Sequence, residues 1–148
     1  MRWSLREHGV VLSGPEPKSL VDPVRPDQLR AEVLAVIPEW VDYAHANTKA
    51  GGMSRWLQPV VVLSFCRMLQ TLSEGRVTSK RAAGEWALGA LDPEWADLIR
   101  RALGDRPDPW ARVYEKADPD AIDRTFAFVD YALGEVTARF RVGGPATP

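Results

Sequence analysis

Apolar positions recur at helical spacing through most of this 148-residue chain. The clearest run lies in residues 56–91. There Val61, Leu63, Phe65, Met68, Leu69 and Leu72 cover one broad apolar sector of a helix. Gly75 follows, where a helix commonly ends in a left-handed residue. Thr78 or Ser79 can cap the next helix by accepting its free amide hydrogens. Ala82, Ala83, Trp86, Ala87 and Ala90 then repeat at helical spacing.

Upstream, Asp27 follows Pro26 as a cap, and Leu29, Val33, Val36, Ile37, Trp40, Val41 and Ala44 form the next stripe. Pro38 removes one backbone donor and predicts a kink or a division of that helix. Downstream, Asp92-Pro93, Asp108-Pro109 and Asp118-Pro119 each read as an N-cap with proline in the first turn, where its missing N–H costs nothing. The first leads through Trp95, Leu98, Ile99 and Ala102 to a stop at Gly104. The second leads a short helix with Trp110, Val113 and Tyr114. The third opens the final helix, expected over residues 119–141, with Ile122, Phe126, Val129, Ala132, Leu133, Val136 and Phe140 on one stripe.

Residues 1–26 are punctuated rather than periodic. Val10-Val11-Leu12 reads as extended, and Gly14, Pro15, Pro17, Pro23 and Pro26 keep the rest out of helical space. No hairpin signal and no internal repeat stands out. The expectation is an all-α fold: a compact bundle of roughly five or six helices with an extended N-terminal segment. The divisions are an extended joint over residues 1–26, a helical domain over 27–142 and a disordered tail over 143–148 after Gly143-Gly144-Pro145.

Composition narrows the class. Hydrophobic residues at 45% and charged ones at 26% fit a globular domain. A net charge of −1 creates no field that recruits nucleic acid, so no nucleic-acid partner is expected. The apolar run of residues 57–72 is too short, and too polar at Gln58, Ser64, Arg67 and Gln70, to cross a membrane. Arg2, Arg6, Glu7 and His8 interrupt any leader pattern, and a cytoplasmic location is the default expectation. The single Cys66 sits inside the apolar run as a structural thiol.

Chemistry is sparse. Two histidines and one cysteine cannot supply a nitrogen–sulfur metal cluster; an all-carboxylate magnesium site is left open by composition, but no constellation for one stands out, so no metal site is assigned. Ser64, Ser73 and Ser79 have no neighbouring His and Asp for nucleophilic catalysis. Arg2 and His8 match the loose R-x5-H spacing of some helical ribonucleases, a spacing frequent by chance. Asp118-Pro119-Asp120 has the spacing of a carboxylate pair, but helix capping accounts for it. No catalytic residue is assigned. One feature stands out: Lys80 and Arg81 occupy a helix start, where the dipole disfavours cations. Either both side chains turn into solvent, or an anion is cradled by the free amides with Arg76, Thr78, Ser79 and Lys80.

At these residues the chain resembles the C-terminal helical domain of the aminoglycoside nucleotidyltransferases that adenylylate streptomycin and spectinomycin. The resemblance is carried by Val61-Val62-Leu63-Ser64 with Arg67, by Gly75-Arg76-Val77 with Lys80, and by Ala83-Gly84-Glu85-Trp86-Ala87. It extends to Phe128-Val129-Asp130-Tyr131-Ala132-Leu133-Gly134-Glu135-Val136, and upstream to Gly9-Val10-Val11-Leu12-Ser13-Gly14-Pro15-Glu16-Pro17, which looks like the joint between the two family domains.

The resemblance implies that Lys80 contacts nucleotide phosphates, and that Trp56 and Glu85 belong to the substrate-binding wall. It also implies acidic residues on the loop before Trp56, whereas this loop carries Lys49 and Arg55 and no acid. A polycationic sugar finds little attraction there. The aromatic that the family brings to the nucleotide is matched here by alanine, around Ala102. The family's Gly-Ser turn and Asp-x-Asp magnesium pair, which perform the transfer, have no counterpart in this sequence. The implied function is a stand-alone substrate- or nucleotide-binding domain of antibiotic-resistance type, non-catalytic by itself. ATP and magnesium enter only with a catalytic domain, and the implied partners are a nucleotidyltransferase domain or protein and ATP or an aminoglycoside-like molecule. The alternative is a protein-interaction bundle, a regulatory or antitoxin-like partner of a separate nucleotidyltransferase.

Overall fold

The computed structural model describes residues 2–49, 53–106 and 112–140. Seven α-helices are present among them: α1 (Arg2–His8), α2 (Pro17–Leu20), α3 (Pro26–Lys49), α4 (Leu57–Glu74), α5 (Lys80–Ala90), α6 (Ala96–Asp105) and α7 (Pro119–Arg139). A short 3-10 turn, Pro93–Trp95, leads into α6. The described residues form no strand beyond one isolated antiparallel bridge between Ser54 and Lys116. The all-α expectation therefore holds.

Helix α4 is the centre, packed against α3, α5, α6 and α7. Nearly every side chain from Leu57 to Leu72 is buried, including Gln58, Ser64, Gln70 and Thr71. Burying polar groups is costly unless they are hydrogen-bonded, and these are. Ser64 Oγ donates to the Val60 carbonyl at 2.6 Å and Thr71 Oγ1 to that of Arg67 at 2.8 Å. Gln70 Nε2 donates to Glu74 Oε2 at 3.1 Å.

The helix ends follow local chemistry. Gly75 has φ 68° and donates to the Thr71 carbonyl at 2.8 Å, closing α4. A Cβ at Gly75 would lie 2.6 Å from Pro26 Cβ, so close approach and conformation both demand glycine. Arg30 on α3 reaches across to the orphan Leu72 carbonyl at 2.8 Å. Ser79 Oγ accepts from the Ala82 amide at 3.1 Å and starts α5. Asp92 and Asp118 accept from the Glu94 and Asp120 amides at 3.0 and 3.1 Å, with proline in the first turn of each element. Capping thus engages Asp118.

Two expectations meet a different outcome and a third is narrowed. Of the kink or division expected at Pro38, the division does not occur, since α3 runs unbroken through it. Pro38 is exposed, so its ring faces solvent rather than the core. The N-terminal segment is not extended throughout: α1 and α2 pack on each other, held by Arg6 donating to the Lys18 and Val21 carbonyls. On α7, Phe128 and Thr125 are completely buried although neither was on the expected stripe, while Leu133 is 36% exposed. The helix expected after Asp108-Pro109, with Trp110, and the 143–148 tail fall largely or wholly outside the described residues. No helix among the described residues is long and apolar enough to cross a membrane.

Candidate anion-binding site

Lys80 is the first residue of α5, one position after the Ser79 cap. Its side chain is half-buried, and two guanidinium groups act on it: Arg67, on α4, and Arg106, which follows α6. Burial first, then Arg67 and Arg106, lower the Lys80 ammonium from 10.5 to about 8. Burial and then Arg106 also lower Arg67. Among the described residues, no carboxylate forms an ion pair with Lys80, Arg67 or Arg106, although most other arginines have one. Like charges brought together at partial burial disfavour each other, and an anion placed among them relieves both burial and repulsion.

The elements explain why these charges act on one another. Gly84 lets α5 lie close on its neighbours: a Cβ there would be 2.8 Å from Leu103 Cδ2 on α6 and 2.9 Å from Leu63 Cδ2 on α4. That close approach brings the N-terminus of α5 toward α4 and the end of α6. Arg67 also lines a groove of about 680 Å³ shared with Trp3, Val33, Trp40 and Met68.

The other residues singled out from the sequence are distributed differently. Arg76 is exposed and pairs with Glu74 at 2.8 Å. The Thr78 hydroxyl donates to Oε1 of the buried Gln70. Ser79 spends its side-chain oxygen on the helix cap. Trp56 immediately precedes α4, half-buried, and lines a narrow cleft with Val60, Asp105 and Arg106. It therefore sits beside the cation cluster. Glu85 is exposed on α5, 3.8 Å from Arg81.

Sequence reasoning used Arg67 only as a motif position and passed over Arg106. The signal that could have found Arg67 is a lone cation inside an otherwise buried helix. Arg106 carries no such local signal. Among the described residues no three His, Cys, Asp or Glu side chains converge to hold a metal ion. Cys66 is buried and its thiol is pushed up to about 12, which makes it a poor nucleophile.

Comparison with known proteins finds the family described as the aminoglycoside adenylyltransferase C-terminal domain matching residues 19–121. A spectinomycin 9-adenylyltransferase of Staphylococcus aureus is 28% identical over 115 residues, covering 75% of this chain and 40% of the relative. An aminoglycoside (3'') (9) adenylyltransferase of Escherichia coli is 29% identical over 136 residues, covering 89% of this chain and 46% of the relative. The Klebsiella pneumoniae protein of the same name is 28% identical over 132 residues, covering 89% and 45%. The chain thus spans less than half the length of these relatives.

Proposed function

The chain belongs to the aminoglycoside adenylyltransferase C-terminal domain family, and from that premise we propose that it supplies the phosphate-holding wall of a nucleotide site. Lys80, Arg67 and Arg106 take the phosphates of ATP or of released pyrophosphate. A nucleotidyltransferase domain, in the same or another polypeptide, supplies the transfer chemistry and the magnesium. No three metal-ligating side chains converge among the described residues, so they do not fit a resident metal. The chain alone performs no adenylyl transfer.

The observation that carries this reading is that half-buried Lys80 on α5 and Arg67 on α4 stand within electrostatic reach of each other and of exposed Arg106 at the end of α6, without a carboxylate partner among the described residues. The test is calorimetric titration of pyrophosphate and ATP into the wild type, Lys80→Ala and Arg67→Ala. Each substitution removes a charge-assisted contact and should weaken binding about ten- to a hundredfold. Affinities equal to wild type would reject the assignment.

The interaction-bundle reading has its own support. The N-terminal segment exposes Val10 at 83% and Leu12 at 96%, with Leu5 and Leu20 also exposed. Such apolar surface suits docking of the nucleotidyltransferase partner. Substituting Val10 and Leu12 by Ser should abolish association with a nucleotidyltransferase domain in sedimentation and leave pyrophosphate binding unchanged.

A further inference from the structure

Asp105 breaks a local rule. It is the last residue of α6, where the helix dipole disfavours an acid, and its side chain is only 11% exposed. Two arginines account for it. Arg55 donates through Nη2 to Oδ1 at 3.1 Å and through Nε to Oδ2 at 3.3 Å. Arg112 donates through Nη1 to the same Oδ1. Arg55 continues outward, with Nη1 on Glu115 Oε2 at 2.9 Å and its backbone N–H on the Glu115 carbonyl at 2.8 Å. The Ala117 amide donates to the Met53 carbonyl at 2.9 Å beside this network. One buried carboxylate therefore ties together the turn before α4, the end of α6 and residues 112–117.

Both neighbours of this clamp lie at or beside the anion site. Trp56 follows Arg55 and Arg106 follows Asp105, and Trp56, Asp105 and Arg106 line one cleft. Fixing the Asp105 carboxylate fixes the end of α6, and so the backbone position of Arg106, whose charge acts on Lys80 and Arg67. We propose that Asp105 is a positioning residue: it clamps Arg55 and Arg112 so that Arg106 and the Trp56 turn hold the geometry of the phosphate site. Asp105 itself takes no phosphate, because its carboxylate repels an anion. This assignment rests on the phosphate-site reading above.

The sign of one substitution separates positioning from simple electrostatics. A carboxylate beside an anion site opposes anion binding through its field. Asp105→Asn removes that opposition, so a pure field effect tightens pyrophosphate binding. A positioning role weakens it, by about three- to thirtyfold for a coupling of this kind. Asp105→Glu keeps the charge and should recover part of the affinity.

The experiment titrates pyrophosphate calorimetrically into the wild type, Asp105→Asn, Asp105→Glu and Lys80→Ala at one salt concentration, with circular dichroism to establish folding. Weaker binding in Asp105→Asn, with partial recovery in Asp105→Glu, supports the assignment. Equal or tighter binding in Asp105→Asn overturns it, while a loss in Lys80→Ala keeps the phosphate site standing. No binding by the wild type overturns both. If Asp105→Asn does not fold, Glu115→Gln removes only the outer, half-exposed carboxylate from Arg55. Weaker binding there supports the clamp, and equal or tighter binding overturns it.

Discussion

Gln58 on α4 donates through Nε2 to Thr125 Oγ1 on α7 at 3.1 Å, and both side chains are buried. The Thr125 hydroxyl in turn donates to the Ala121 carbonyl at 2.7 Å, so its donor and one acceptor site are both used. This pair joins the central helix to the last one through a buried contact. Thr125→Val keeps the shape and removes the acceptor, leaving the Gln58 amide without this partner. It should lower unfolding free energy by about 1–3 kcal/mol in urea titration. The double substitution Gln58→Leu with Thr125→Val should recover part of that loss. A double variant as unstable as the sum of the singles would contradict the coupling.

Lys80 makes stability depend on pH in a defined direction. Its folded value lies near 8, below the ordinary 10.5, so the folded state disfavours the charged form. That penalty is present in full below about 8 and is relieved as pH rises from there toward 10.5. Cys66 acts in the opposite sense, because its thiol is raised from 9.0 to about 12 and unfolded thiolate forms first. The wild-type profile mixes the two. The difference between wild type and Lys80→Gln isolates the lysine: wild type should gain relative to the variant between pH 8 and 10 in thermal melts. A constant difference across that range would rule out a depressed lysine.

Pyrophosphate reverses this balance. An anion among Lys80, Arg67 and Arg106 favours the ammonium form, so binding above pH 8 should take up a proton. Calorimetry in two buffers of different ionisation enthalpy reads the uptake directly. Lys80→Gln should abolish it. Uptake that persists in that variant would place the titrating group elsewhere.

Two glycines of α5 should respond oppositely to added side chains. Gly89 is exposed and a Cβ there meets nothing within 4 Å, so Gly89→Ala should add about 0.5–1 kcal/mol through helix propensity. A Cβ on Gly84 would lie 2.8 and 2.9 Å from Leu103 and Leu63, so Gly84→Val should cost about 1–3 kcal/mol through overpacking. Urea midpoints measure both. A Gly84→Val protein as stable as wild type would mean that α5 is free to move away from α4.

What could be read along the chain is what local chemistry controls. Helix starts at Ser79, Asp92 and Asp118 and the stop at Gly75 depend on side chains reaching amides two or three residues away, and on one residue's φ. The apolar repeat of α4 shows its helix because burial on every side fills every turn. Helix α1 had no such signal: it buries no residue, so no apolar stripe marks it. The face of α7 was legible only approximately. Its buried sector includes Phe128 and Thr125, chosen by the angle at which it meets α4 and by the Gln58 contact.

The anion site divides along the same line. Lys80 was visible because a cation at a helix start conflicts with the dipole, a matter of neighbouring residues. Its companions were not. Arg76, Thr78 and Ser79 stand close to it in sequence, yet the first pairs with Glu74, the second with Gln70 and the third with the Ala82 amide. Arg67 and Arg106 join Lys80 because α5 lies close on α4 and α6 at Gly84, and Arg55 and Arg112 anchor Asp105, the residue before Arg106. Periodicity and capping determined where the helices are. The packing of three helices, set by side-chain volume and long-range ion pairs, decided which charges meet.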